Sequence, residues 1–450
     1  MKNQMLAAGL LAAVMTLAAC DETERSAGEP AKTYDVDAII TATDLTNNEK
    51  SEMLAQIGEA LSTPVGFMYA NEVLDQAIRF NAENPRANFY KHLVAPAMVT
   101  KGLIKRMQPL ADKMSDVTRT NYDQMKEQVA LSESLNAFAN EGAGDILTEE
   151  KAQQVLQAVY REQDKLRLFT KGFKANVLKI SPMVIKGPPE AYLADCQVRA
   201  IGPRAGYHAK YDVSPCPWQK KFEATIDRGD IEVLQHAFAG YEISTILATS
   251  YDATGGVMYE HFAQNPTTSV REKVQFIQNL GMAGKLKPEA PITMIHGLGT
   301  DIYSGARWAQ RYQDRLCPKG HYQLNRPGRL FAQGICVQDL PDPKMPRAES
   351  ALRVFAAALG GMTTDLTIED GRVVVDELSR NAPMGYRTKT QAFAPITNPV
   401  ADLKGLLPTQ FDRCGGAQNV GESTLGGLLP NGDGNEVARQ LGWFDSTCPF

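Results

Sequence analysis

The sequence predicts a mainly α protein: a first part built of helical hairpins, then an α-rich domain with little β. Three observations carry this. Apolar residues recur three and four positions apart, as in Tyr69, Val73, Leu74, Ala77 and Ile78. Residues that start helices precede these stripes, and Pro or Gly follows them. A strong strand signal occurs once, in TIEDGRVVV at 367–375, where Asp370-Gly371 suits a tight hairpin turn.

Taken in order, Asn47 and Asn48 are candidate caps of a helix running to Leu61 and stopped by Pro64. The stripe from Tyr69 to Ile78 is the next helix, and Glu83-Asn84-Pro85 breaks the chain after it. Phe89, Tyr90, Leu93, Val94, Ala97 and Met98 continue on another helix, where Pro96 predicts a kink or a split. Tyr122, Met125, Val129, Leu135 and Phe138 mark one more. Thr148 suits the cap of a helix through Val155, Val159 and Phe169. The Pro/Gly breaker KGPPE at 186–190 places a domain boundary near 172–190. Beyond it, Asp230 is a candidate cap for Ile231, Leu234, Ala237, Phe238 and Tyr241. Ser269 and Glu272 have capping-box spacing, with Gly281 as the stop. Trp308, Tyr312 and Leu316 stripe a helix, as do Leu352, Phe355 and Leu359.

Residues 69–104 resemble a tetratricopeptide-like helical hairpin, on Ala77, the AENP turn at 82–85 and the small Ala95. A generic helix pair is the other reading. In both, one pair cannot bury its own apolar face, so neighbours must stack.

The start of the chain has its own pattern. Lys2 precedes an apolar run at 5–17, shorter than the roughly 20 residues that span a bilayer. The run ends in LAAC, 17–20, which resembles a bacterial lipobox. The resemblance implies cleavage before Cys20 and a diacylglyceryl thioether on its sulfur. Two or more acyl chains make such an anchor stable, at about 0.8 kcal/mol per buried CH₂. Residues 21–37 hold six acids and two bases, and so predict an unpacked tether reaching roughly 20 Å from the membrane. The expected organisation is a signal peptide at 1–19, a lipidated tether at 20–38, a helical domain at 39–180 and an α-rich domain at 181–450.

There are seven cysteines. With Cys20 lipidated, six remain: Cys196, Cys216, Cys317, Cys336, Cys414 and Cys448. An even set in an exported chain predicts disulfides. Fifteen pairings exist, and nearest neighbours are the expectation: Cys196–Cys216, Cys317–Cys336 and Cys414–Cys448. A metal site is the competing reading, but there is no C-x-x-C pair, and Cys317 with His321 is the one close Cys/His couple.

With 47 basic and 52 acidic residues and a formal net charge of −5, no basic patch dominates, which argues against nucleic acid as a partner. No cofactor motif is expected: the chain has neither H-E-x-x-H nor a phosphate-cradling glycine loop. IHGLG, 295–299, resembles the His-Gly loop of α/β-hydrolases, but the G-x-S-x-G elbow that fold requires is missing, and GESTLG at 421–426 has the wrong spacing. The segment therefore reads as a glycine-bearing loop leading to a helix after Thr300 and Asp301. His296 with Asp301 is the remaining catalytic candidate, on proximity alone. NGDGNE, 431–436, carries half of a calcium loop and reads better as a turn capping a helix. His92, His208, His236, His261 and His321 receive no role.

The functional expectation is a membrane-anchored envelope lipoprotein, its body in the periplasm, whose helical face binds a protein or peptide. The alternative is an envelope hydrolase using His296 and Asp301. A carrier of a soluble ligand would need a large apolar pocket.

Overall fold

The computed structural model describes residues 32–63, 65–173, 178–180, 183–185, 197–201, 210–214, 219–221, 224–226, 228–265, 269–299, 301–302, 322–324, 335–337, 363–369, 372–374, 387–392, 398–411, 417–424, 426–427 and 432–435. Among them are eleven α-helices, and the strands are short, at three to seven residues. The fold is mainly α. The helices expected at 308–316 and 352–359, the breaker KGPPE and the LAAC motif lie outside the described residues.

The chain forms two compact units that alternate along the sequence. The first comprises Met1–Leu147, Ala158–Glu232 and Asn325–Gly334. The second comprises Thr148–Gln157, Val233–Leu324 and Ile335–Phe450.

The first unit opens with β1 (Lys32–Asp35) and α1 (Val36–Thr41). This corrects the extent of the tether, which was expected to run to residue 38. Lys32–Asp35 pair antiparallel with Lys210–Val213, and Val36 is buried. Asp35 explains the difference. Its carboxylate accepts from the backbone of Ala38 at 3.0 Å, capping α1, and also meets Lys210 Nζ at 2.6 Å. Two acids of the stretch's acidic count are thus explained locally: Asp35 is a cap, and Asp37 lies in the first turn of α1, where a negative charge faces the positive helix end.

Helix α2 spans Asn47–Leu61. Its cap is Thr46, not the expected Asn47 or Asn48: Thr46 Oγ1 accepts from Glu49 N at 3.3 Å, and Glu49 Oε2 accepts from Thr46 N at 2.8 Å. The reciprocal pair satisfies two amides that an asparagine one residue later would leave open. Helix α3 (Phe67–Phe80) buries Val73, Leu74 and Ala77, as its stripe predicts. It packs closely on α2 at Gly58, where an added Cβ would lie 2.4 Å from Leu74 Cδ2. Helix α4 (Pro85–Met98) starts with proline at its first position, where no amide is needed, and Asn84 caps it through Ala87 N at 2.9 Å. Pro96 does not split it. The helix ends two residues later, so little helix follows the lost hydrogen bond.

Helices α5 (Leu103–Ala111), α6 (Asp116–Ala130) and α7 (Glu133–Ala139) follow. The single stripe from Tyr122 to Phe138 resolves into α6 and α7, because Ser132 starts a new helix by accepting from Leu135 N at 3.4 Å. Ile104, Ala111, Tyr122, Val129 and Ala139 form one core cluster, filled in by Met107, Met114, Met125 and Leu135. The hydroxyl of the buried Tyr122 donates to Ile104 O at 2.6 Å, so its polar end is satisfied within the core. Helix α8 (Glu149–Gly172) is capped by Thr148, as expected, through Lys151 N at 3.3 Å.

Short strands complete the first unit: β2 (Leu178–Ile180), β3 (Met183–Ile185), β4 (Gln197–Ile201), β5 (Lys210–Ser214), β6 (Gln219–Lys221) and β7 (Ala224–Ile226). They make a sheet of order β1-β5-β4 and the pairs β2–β7 and β3–β6, all antiparallel.

The second unit contains most of α9 (Arg228–Ser250), with α10 (Gly256–Ala263) and α11 (Val270–Asn279). Helix α9 begins two residues before Asp230, which therefore sits in the first turn rather than at the cap. The capping box of α11 is as expected: Ser269 Oγ accepts from Glu272 N at 3.3 Å, and Glu272 Oε2 accepts from Ser269 N at 2.7 Å. Replacing Ser269 by alanine is expected to cost about 1 kcal/mol in denaturant unfolding. At the other end of α11, Lys404 Nζ donates to Leu280 O and, at 3.2 Å, to Gly281 O, covering carbonyls that the helix leaves open.

The start of α8 belongs to this second unit through Gln153. Its Nε2 donates to Ala248 O at 2.9 Å and Tyr251 O at 2.6 Å, and its Oε1 accepts from Lys287 Nζ at 2.6 Å. The remaining strands are β8 (Tyr322–Leu324), β9 (Ile335–Val337), β10 (Thr363–Glu369), β11 (Arg372–Val374), β12 (Arg387–Ala392), β13 (Pro408–Phe411) and β14 (Ala417–Val420). The expected strand pairing is present: β10 pairs antiparallel with β11, with Glu369 opposite Arg372 in the register. Strand β12 joins on the other side of β10.

Candidate functional site

Helices α2 and α4 enclose a set of charged and polar groups in the first unit. Glu52 and Glu59 are seven residues apart, two turns along one face of α2. Arg86 and Tyr90 are four apart on α4. Arg86 Nε donates to Glu52 Oε1 at 2.9 Å, and Arg86 Nη1 pairs with Glu59. The Glu59 side chain is 7 % exposed and that of Arg86 15 %, against 44 % for Glu52. The bond to Glu59 is therefore the desolvated one. Burial opposes the Arg86 charge, but the two carboxylates outweigh it and raise its pKa. The buried Tyr90 hydroxyl also bonds Glu59, and burial followed by that carboxylate raises its pKa well above the ordinary tyrosine range.

Asn84 extends the set. Its side-chain oxygen caps α4, while its Nδ2 donates to Ser51 Oγ at 3.0 Å and Glu52 Oε2 at 3.4 Å. Ser51 Oγ donates in turn to Ala77 O at 2.8 Å, near the end of α3. These residues tie three helices together. Chemically, the arrangement is a joint: the guanidinium is held by two carboxylates and the amide makes bonds in three directions. Its serine, Ser51, bonds the Asn84 amide and the Ala77 carbonyl. Sequence reading passed over it. The available signals were the two-turn spacing of Glu52 and Glu59 and the four-residue spacing of Arg86 and Tyr90.

The residues singled out from the sequence fall elsewhere. Cys20, Cys196, Cys216, Cys317, Cys414 and Cys448 lie outside the described residues. For Cys336 only the backbone is described, in β9 opposite Gln323 of β8. The expected pairings therefore remain expectations. Ile295–Gly299 is helical, which corrects the glycine-loop reading of IHGLG. Ile295, Leu298 and Ile302 are buried and form a stripe at helical spacing, so packing sets the conformation of this segment.

Gly434 and Asn435 are helical, and Asp433 Oδ1 accepts from Asn435 N at 2.8 Å. Asn435 Oδ1 accepts from Asn419 N at 3.0 Å. Both oxygens thus serve backbone amides, and the helix expected at 436–441 lies outside the described residues. Among the described residues no group of three or more His, Cys, Asp or Glu is placed to hold a metal ion. No described helix is long and apolar enough to cross a membrane.

Comparison of the chain with protein-family profiles, with characterised proteins and with solved structures finds no match.

Proposed function

We infer that the chain is a lipid-anchored lipoprotein of the bacterial envelope whose helical first part serves as a scaffold for a protein or peptide. The observation that carries this reading is LAAC at 17–20, a complete lipobox that ends in the cysteine to be acylated. The parity of the cysteines supports it, since lipid on Cys20 leaves six to pair in an oxidising compartment. The scaffold half of the reading is supported by α2, α3 and α4. Their inner polar groups are engaged with one another, as in stacked helix pairs that present outer faces to partners. The hydrolase alternative, with a site near His296 and Asp301, rests on their proximity in the sequence.

The test is direct. Mass spectrometry of the mature protein is expected to show acyl chains on Cys20 and no free thiols. Cys20→Ala is expected to move the protein from the membrane fraction to the soluble fraction with its thermal unfolding unchanged. An unmodified Cys20 would refute the anchor. Crosslinking in intact envelopes then identifies the partner, and recovery of the monomer alone would count against the scaffold.

A further inference from the structure

A row of rings closes α4 onto the end of α8. The His92 and Phe169 rings stack at 4.4 Å with 24° between their planes. Phe169 meets Phe173 at 5.6 Å, Phe173 meets Phe89 at 6.4 Å, and Phe89 meets Tyr90 edge-on at 5.4 Å. His92 is the one member of the row that gains a charge near neutral pH.

We propose that this seam is acid-sensitive: protonation of His92 parts the ring row and frees the last turns of α8 from α4. The charges around it are set against a cation. On α4 itself Lys91 is adjacent, and it bonds Asp75 of α3 at 2.7 Å. On α8, Glu162 is the carboxylate within reach, but it already pairs with Lys165 at 2.6 Å. Arg167 pairs with Asp164 at 2.6 Å. On α2, Glu52 and Glu59 are engaged by Arg86. Strand β2, which also packs on α4, contributes Lys179. A proton on His92 therefore arrives beside Lys91 and Lys165, in a half-buried place whose nearest carboxylate is occupied.

Burial is the largest influence on the His92 imidazole and pushes its pKa down. Glu162 opposes this, and Lys165 and Lys91 add to it. The folded seam favours the neutral ring, so its stabilisation is complete above the ordinary histidine value of about 6.5. It is lost as the pH falls through that value toward the lower folded one, because the open state binds the proton more tightly.

Hydrogen exchange of the full chain at about pH 7.5 and about pH 5.5, corrected for intrinsic rates, tests this. The wild-type amides of residues 163–173 are expected to lose protection severalfold more on acidification than those of His92→Phe, which keeps the stack without the charge. His92→Gln is a second uncharged variant should the phenylalanine fail to pack. The remaining histidines are common to all three proteins, so the difference belongs to His92. Equal acid response in wild type and variants would overturn the proposal. So would a wild-type gain in protection at low pH, which would mean that the charged ring is held by attraction to the Phe169 face.

Discussion

Arg86→Ala is expected to destabilise the protein by about 3–5 kcal/mol, read from the denaturant midpoint at constant slope. The cost is not the value of one ion pair. Glu59 is 7 % exposed, and without the guanidinium its carboxylate stays buried with the Tyr90 hydroxyl as its remaining polar partner named above. A buried carboxylate that loses its cation costs far more than the pair contributes. Arg86→Met combined with Glu59→Leu is expected to recover most of the loss, since both charges then leave together. Glu52→Ala is expected to cost under about 1 kcal/mol, because that carboxylate is 44 % exposed and water already screens it. Equal losses for Glu52→Ala and Arg86→Ala would show that desolvation of Glu59 is not what matters.

Gly102→Ala is the second large effect, expected at about 2–4 kcal/mol. Gly102 begins α5 with φ +73°, in the left-handed region, where a side chain is strained. A Cβ there would also lie 2.2 Å from Glu141 O. The obstacle is backbone, and it is held: Gly102 N donates to Phe138 O at 2.8 Å, and Ile146 N donates to Arg106 O at 3.0 Å on the following turn. Gly142 provides the control. Its φ is +88°, but nothing lies within 4 Å of its Cβ position, so Gly142→Ala carries the conformational cost alone, about 1 kcal/mol. The gap between the two variants in thermal unfolding measures the close approach of α5 to the 140–142 turn. If the gap is absent, the contact is not rigid.

What was legible in the sequence was local. The Ser269–Glu272 box and the Asp370-Gly371 hairpin each depend on residues within a few positions, and both elements stand where those residues imply. The Thr46–Glu49 box was just as local, but two asparagines beside it offered a competing cap. The glycines of IHGLG masked a helical stripe, because Ile302, its third member, falls beyond the motif. The strands β2, β3, β6 and β7 escaped for another reason. Segments of three residues have no period to read, and their partners are distant in sequence. The same holds for the joint on α2 and α4, where Glu59 and Arg86 meet across 27 positions. Pattern reading finds which face of a helix is apolar, but not which polar groups will meet inside.

The pairing of β1 with β5 has a consequence for the order of assembly. Thr33 and Asp212, hydrogen-bonded at 2.6 Å, are separated by 179 positions. A ribosome working at roughly 5–20 residues per second therefore needs on the order of ten seconds to make the second strand after the first. Throughout that interval the edge of Lys32–Asp35 has no ladder to join, while the hairpins behind it need only near neighbours and close early. The first strand synthesised thus waits, with an open edge, until the fifth strand has been made.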